Sequence, residues 1–191
     1  MNAIAHLVRP GSAYVPLRLA GRPLVLKALV LVLGVAFLTA SSWVQVPMWP
    51  VPMTMQTFAV LMVGALCGWR LGVATVVAWL ALSIEFPLLS EFKTLAMVAT
   101  TSGYLAAFVI MAGFIGLMAE RGWTARPIGA FITLLIAEVI CFALGVAWLS
   151  TIIGFDKAIE FGLVPFVVGD LVKTVLATSI LTALHRVRRQ S

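Results

Sequence analysis

Asp170 and Lys173 stand three residues apart in a stretch that holds no other Asp, Glu, Lys or Arg between Glu160 and Arg186. On a helix that spacing puts both on one face. Aspartate accepts hydrogen bonds and lysine donates them, a combination suited to a small molecule with both N–H groups and oxygens. Two readings are open. The residues can form a self-neutralising pair that merely avoids a bare charge, or they can floor a pocket open to the outside. Pro165, Phe166 and Gly169 support the pocket, because a bent, glycine-containing helix start leaves room for a ligand.

Other polar groups lie where they are costly. A charged side chain at the centre of a membrane helix costs about 2.5–3.5 kcal/mol on insertion scales, so it usually faces a partner or a cavity. Glu138 is mid-way along an apolar run and reads as a satisfied packing carboxyl or as the lower edge of the same pocket. Glu85, two residues before Pro87, reads as an interfacial carboxylate or a ligand contact. Gln56 adds a neutral amide. Catalytic constellations are not found: His6 and His185 stand near the two ends, away from any buried Ser or Cys base pair. Cys67 and Cys141 sit in apolar runs and read as small buried hydrophobes. With no phosphate-binding G-x-x-x-x-G-K-[ST] loop and no H-E-x-x-H, the chain is expected to be no enzyme and to hold no cofactor and no metal. Any ATP-driven step belongs to another chain.

These side chains need a scaffold, and composition says which kind. Of 191 residues, 62% are hydrophobic and 10% charged, against roughly 45–50% and 25% in soluble domains. A chain this short cannot hide that much apolar surface from water, so its solvent is lipid. No charge occurs between Lys27 and Arg70, between Arg70 and Glu85, or from Thr94 to Ala119. With about 20 apolar residues needed to span the hydrocarbon, the pattern predicts an all-α integral membrane protein. Six transmembrane helices are expected at about 24–43, 54–69, 71–89, 101–120, 127–149 and 164–185. Residues 1–23 and 186–191 would form a cytoplasmic N-terminal segment and a basic tail around the membrane domain, 24–185.

Arginine sets the orientation. With the N-terminus inside, all nine arginines fall on cytoplasmic segments, whereas the outer links carry Lys93 and Lys157 beside Glu91, Asp156 and Glu160. This is the positive-inside bias, with both termini cytoplasmic. It accounts for the net charge of +6 without nucleic acid. The first apolar run is longer than a signal-peptide core and five more follow, so it reads as a genuine helix. On it, Ala36 and Ala40 form a small-x-x-x-small face that permits close helix approach, within the bundle or to a partner.

At the level of motifs, Val46-Pro47-Met48-Trp49-Pro50-Val51-Pro52-Met53-Thr54-Met55-Gln56-Thr57-Phe58 resembles the V-P-x-x-P-V-P-x-T-x-Q-T segment of the BioY family, the biotin-capturing S components of energy-coupling factor (ECF) transporters. The likeness continues through Leu71-Gly72, Ser102-Gly103-Tyr104-Leu105, Ala119-Glu120-Arg121-Gly122-Trp123 and the G-D-x-x-K motif Gly169-Asp170-x-x-Lys173, covering about residues 25–185. It implies a six-helix bundle in the bacterial inner membrane that takes biotin from outside and works with an ECF T subunit and two ABC-type ATPases. By residue, it implies that Asp170 and Lys173 help hold biotin. Tyr104 and the Gly103 backbone would line the same pocket, Gln56 would help form or close it, and Ala36 and Ala40 would meet the coupling subunit. Biotin has two ureido N–H donors, a carbonyl, an apolar body and a carboxylate tail.

One stretch departs from the family pattern. Leu82–Lys93 and Thr100-Thr101-Ser102-Gly103 stand where the family has a glycine-rich loop and P-T-G-G. Bulkier residues there reshape one pocket wall, with Lys93 or Glu91 as an added charged contact, so a different small vitamin or heterocycle is the alternative ligand. A stand-alone ion or proton conductor through Glu85, Glu138, Asp170 and Lys173 is the competing class, although these groups form no regular ladder across the membrane.

Overall fold

The computed structural model describes residues 15–17, 21–86 and 95–190. Helix α1 (Leu24–Trp43) leads into a short antiparallel hairpin of β1 (Gln45–Val46) and β2 (Met53–Thr54), in which Gln45 pairs with Thr54 and Val46 with Met53. Helices α2 (Gln56–Cys67), α3 (Trp69–Glu85) and α4 (Leu95–Glu120) follow. A 3₁₀ turn (Trp123–Ala125) then precedes α5 (Pro127–Ile153), α6 (Phe155–Gly162) and α7 (Val164–Gln190).

The bundle is helical and apolar as expected, and its differences from the sequence reading have physical causes. Among the described residues, four stretches, Leu24–Trp43, Met97–Glu120, Pro127–Ile153 and Phe155–Val187, are long and apolar enough to cross a bilayer. α3, with 17 described residues, is not one of them, and neither is α2. The 12 residues of α2 rise only about 18 Å, because the hairpin takes over Thr54 and the helix stops at Gly68. The bundle surrounds it instead, burying the run from Ala59 to Ala65. α4 starts six residues before the expected 101, and α5 and α7 run on to 153 and 190 rather than 149 and 185. α6 lies in what reads as an outer link. It places Asp156, Lys157 and Glu160 outside its buried Ala158 and Gly162, and it runs straight on into α7 within the Phe155–Val187 stretch. Residues 87–89 of the expected third helix lie outside the described residues, as do most of 1–23, Glu91 and Lys93.

Helix α4 is the central post. Ala107, Met111, Ala112, Ile115 and Ala119 are fully buried, and α4 packs against α2, α3 and, most extensively, α5. The α2–α3 corner crosses it closely. Gly68 there has φ +78°, a conformation glycine adopts without a Cβ penalty, and a Cβ at Gly116 would fall 2.3 Å from Trp69 N. Glu120 completes the corner by accepting the Trp69 N–H at 3.2 Å, which sets a carboxylate on the first turn of α3. Helix α1 sits to one side against α2 and α3. It buries Val35, Leu38, Ser41 and Ser42 and leaves Leu29, Val32, Leu33, Ala36 and Ala40 exposed.

Candidate functional site

The hairpin and four helices converge on one cavity. Its polar wall comes from Thr54 on β2, Gln56 and Thr57 on α2, Thr101 on α4, and Asp170 and Lys173 on α7. Tyr104, Phe108, Phe142 and Phe166 supply much of the apolar wall. The hairpin is positioned from two sides: Thr100 Oγ1 donates to Pro50 O at 2.9 Å, and the Met55 N–H donates to Val44 O at 2.9 Å.

Asp170 and Lys173 are 3% and 6% exposed, and Lys173 Nζ donates to Asp170 Oδ1 at 2.6 Å. The ammonium also donates to Thr54 O at 2.6 Å and Thr57 Oγ1 at 3.0 Å, so each of its three protons has an acceptor. The Thr57 hydroxyl in turn donates to Asp170 Oδ1 at 3.1 Å. Buried charges are tolerated only when paired and hydrogen-bonded in this way. The pair therefore ties the start of α2 and the end of the hairpin to α7. Gln56 Oε1 accepts from Thr54 Oγ1 at 3.2 Å, while its buried Nε2 has no partner among the described residues. An amide donor is left on the cavity wall.

The structure thus brings Asp170, Lys173, Gln56 and Tyr104 together. The Tyr104 ring lines the cavity, and its hydroxyl donates to Gly162 O at 2.8 Å, tying α4 to the end of α6. Gly103 is placed differently from expectation. A Cβ there would lie 2.3 Å from Trp148 Cβ, and Trp148 Nε1 donates to Ala99 O at 2.7 Å, so its role is close packing of α4 on α5 rather than lining the pocket. Glu85 also falls away from the site: it is exposed at the last position of α3 and is not among the lining residues. Glu138 faces an adjoining groove, which Asp170 shares. Thr57 was missed by sequence reasoning. Its signal was present in the Thr54-x-Gln56-Thr57 segment, but only the fold shows that its hydroxyl meets residues more than a hundred positions away.

The sequence matches the BioY family over residues 15–190. This chain belongs to the BioY family. The biotin transporter BioY of Thermotoga maritima is 33% identical over 156 residues, covering 79% of this chain and 90% of the relative. The probable biotin transporter BioY of Pyrococcus horikoshii is 30% identical over 156 residues, covering 80% and 92%. Among solved structures, the S-component for biotin from an ECF-type ABC transporter is similar with a TM-score of 0.74 and 26% identity, covering 87% of this chain and 93% of that one. The BioY resemblance read from residues 46–58 and the G-D-x-x-K motif is borne out, and with it the membrane bundle of S-component type.

Proposed function

We propose that this chain is the substrate-capture subunit of a biotin uptake system, holding biotin in the cavity between the hairpin, α4, α5 and α7. The observation that carries the reading is the buried Asp170–Lys173 pair on the cavity wall. In a lipid-embedded bundle, such a pair beside open space is where a ligand with both donors and acceptors can be matched. Biotin has that chemistry: Asp170 offers an acceptor to a ureido N–H, while Lys173 and Gln56 Nε2 offer donors to its oxygens. The names of its relatives support the same ligand.

The rest of the assembly follows from what the chain lacks. It has no phosphate-binding loop, so energy must come from partners, for which an ECF T subunit and two ABC-type ATPases are the class. The exposed Ala36 and Ala40 on α1 present the face on which the T subunit docks. The chain sits in the bacterial inner membrane as a multi-pass protein with both ends cytoplasmic, an orientation supported by the arginine distribution. The test is titration of labelled biotin into the purified full chain in detergent, where saturable binding is expected. Absence of biotin binding together with binding of another vitamin would overturn the ligand. Proteoliposome ion flux that persists without biotin or partners would overturn the class.

A further inference from the structure

The cavity beside the Asp170–Lys173 pair is small, about 50 Å³ as swept by the centre of a water molecule. Sites for small organic ligands typically span roughly 300–1,000 Å³. Directly behind it, sharing Phe142 and Asp170, a groove of about 610 Å³ runs between α5, α6 and α7. Val139, Val146, Ile159 and Leu163 are among its apolar walls. Phe142 and Phe166 meet edge to face, with centroids 6.5 Å apart, beside the junction of the two spaces.

Glu138 also lines this groove. It is 3% exposed, and neither carboxylate oxygen has a hydrogen-bond partner among the described residues. A buried polar group without a partner costs about 1–3 kcal/mol, more when charged. The arrangement therefore calls for a donor from outside the chain. The groove brings Glu138 on α5 and Asp170 on α7 to one space. A five-membered cyclic urea points its two N–H bonds away from each other, on either side of the carbonyl. One carboxylate cannot accept both, whereas two on facing helices can.

Resting on the biotin reading above, we propose that Glu138 is a ligand-binding, specificity-determining residue: it accepts one ureido N–H while Asp170 accepts the other, the ring system seated in the α5–α6–α7 groove past Phe142. The valeryl tail then runs back toward the hairpin cavity, where the free Gln56 amide donor meets its carboxylate.

The experiment measures affinities of the full-length wild type, Glu138→Leu and Glu138→Gln for biotin and for its two analogues methylated at one or the other ureido nitrogen. Losing a hydrogen bond to a charged group corresponds to about 10- to 100-fold in affinity. Wild type is expected to bind each methyl analogue that much more weakly than biotin. Glu138→Leu is expected to bind biotin about 10- to 100-fold more weakly and to stop discriminating against one of the two analogues, with a thermal midpoint equal to or above wild type in the absence of ligand. Glu138→Gln keeps an acceptor and loses several-fold, and it carries the test where the leucine variant fails to fold. Wild type that binds biotin alongside Glu138 variants with unchanged affinity and unchanged discrimination overturns this inference alone. Wild type that does not bind biotin overturns the functional reading on which it rests.

Discussion

Lys173 Nζ lies 2.6 Å from Asp170 Oδ1 one helical turn away on α7, and the same ammonium reaches Thr54 O on the hairpin and Thr57 Oγ1 on α2. One side chain thus ties α7 to both the hairpin and the start of α2. Removing either charge strands the other in a low-dielectric site, a change that typically costs about 3–5 kcal/mol. Lys173→Ala and Asp170→Asn are each expected to lower biotin affinity by at least about 100-fold, the equivalent of about 2.7 kcal/mol. Both are expected to lower the thermal midpoint by roughly 10 °C at about 2–4 °C per kcal/mol. Lys173→Met combined with Asp170→Leu should be more stable than either of those two substitutions alone while still failing to bind. Titration and thermal unfolding of the four proteins decide it, and near-additive losses would refute the coupling.

Tyr104→Phe removes the hydroxyl bonded to Gly162 O but keeps the ring on the cavity wall. Its expected cost is about 0.5–1.5 kcal/mol of stability, read as faster amide exchange across α6, with affinity changing less than about tenfold. A loss of binding as large as that of Lys173→Ala would instead put the hydroxyl on the ligand.

Gly103 is a packing position, so its substitution acts through the α4–α5 contact. Gly103→Ala puts a Cβ within 2.3 Å of Trp148 Cβ and is expected to cost about 1–3 kcal/mol by overpacking. Trp148→Gly in the same chain, which removes that Cβ as well, should restore part of that loss. Thermal unfolding of the two singles and the double measures it, and strict additivity would refute direct contact.

Ala36→Leu and Ala40→Leu enlarge side chains on the outward face of α1, which supplies no residue to the cavity lining. Biotin affinity of the isolated chain should stay within about twofold, equivalent to about 0.4 kcal/mol. Co-purification with the T subunit and ATPases should fall steeply. Retained assembly in the double variant would move the docking face elsewhere on the bundle.

What the sequence revealed, and what it hid, divides along contact range. The α7 pair was legible because two charges in a long apolar run have no cheap place except beside each other or a ligand, and the i, i+3 spacing fixes their common face. α1 and α5 were legible as uninterrupted apolar runs. The α2 boundary was not, since the residues Met53 and Thr54 carry as much apolar signal in a hairpin as in a helix. Glu85 and Gly103 show the other limit. A carboxylate near a helix end and a glycine beside a tyrosine have the same local signature whether they face a ligand, a neighbouring helix or open surface. Thr57 and Glu138 acquire their meaning only from partners, present or missing, on distant helices.

Helix α1 touches the rest of the bundle through α2, α3 and β2, and it supplies no residue to the cavity lining. On the proposed reading, company and cargo are recognised on separate pieces of the molecule. One can drift while the other holds, so a common engine could serve bundles that differ in what they carry.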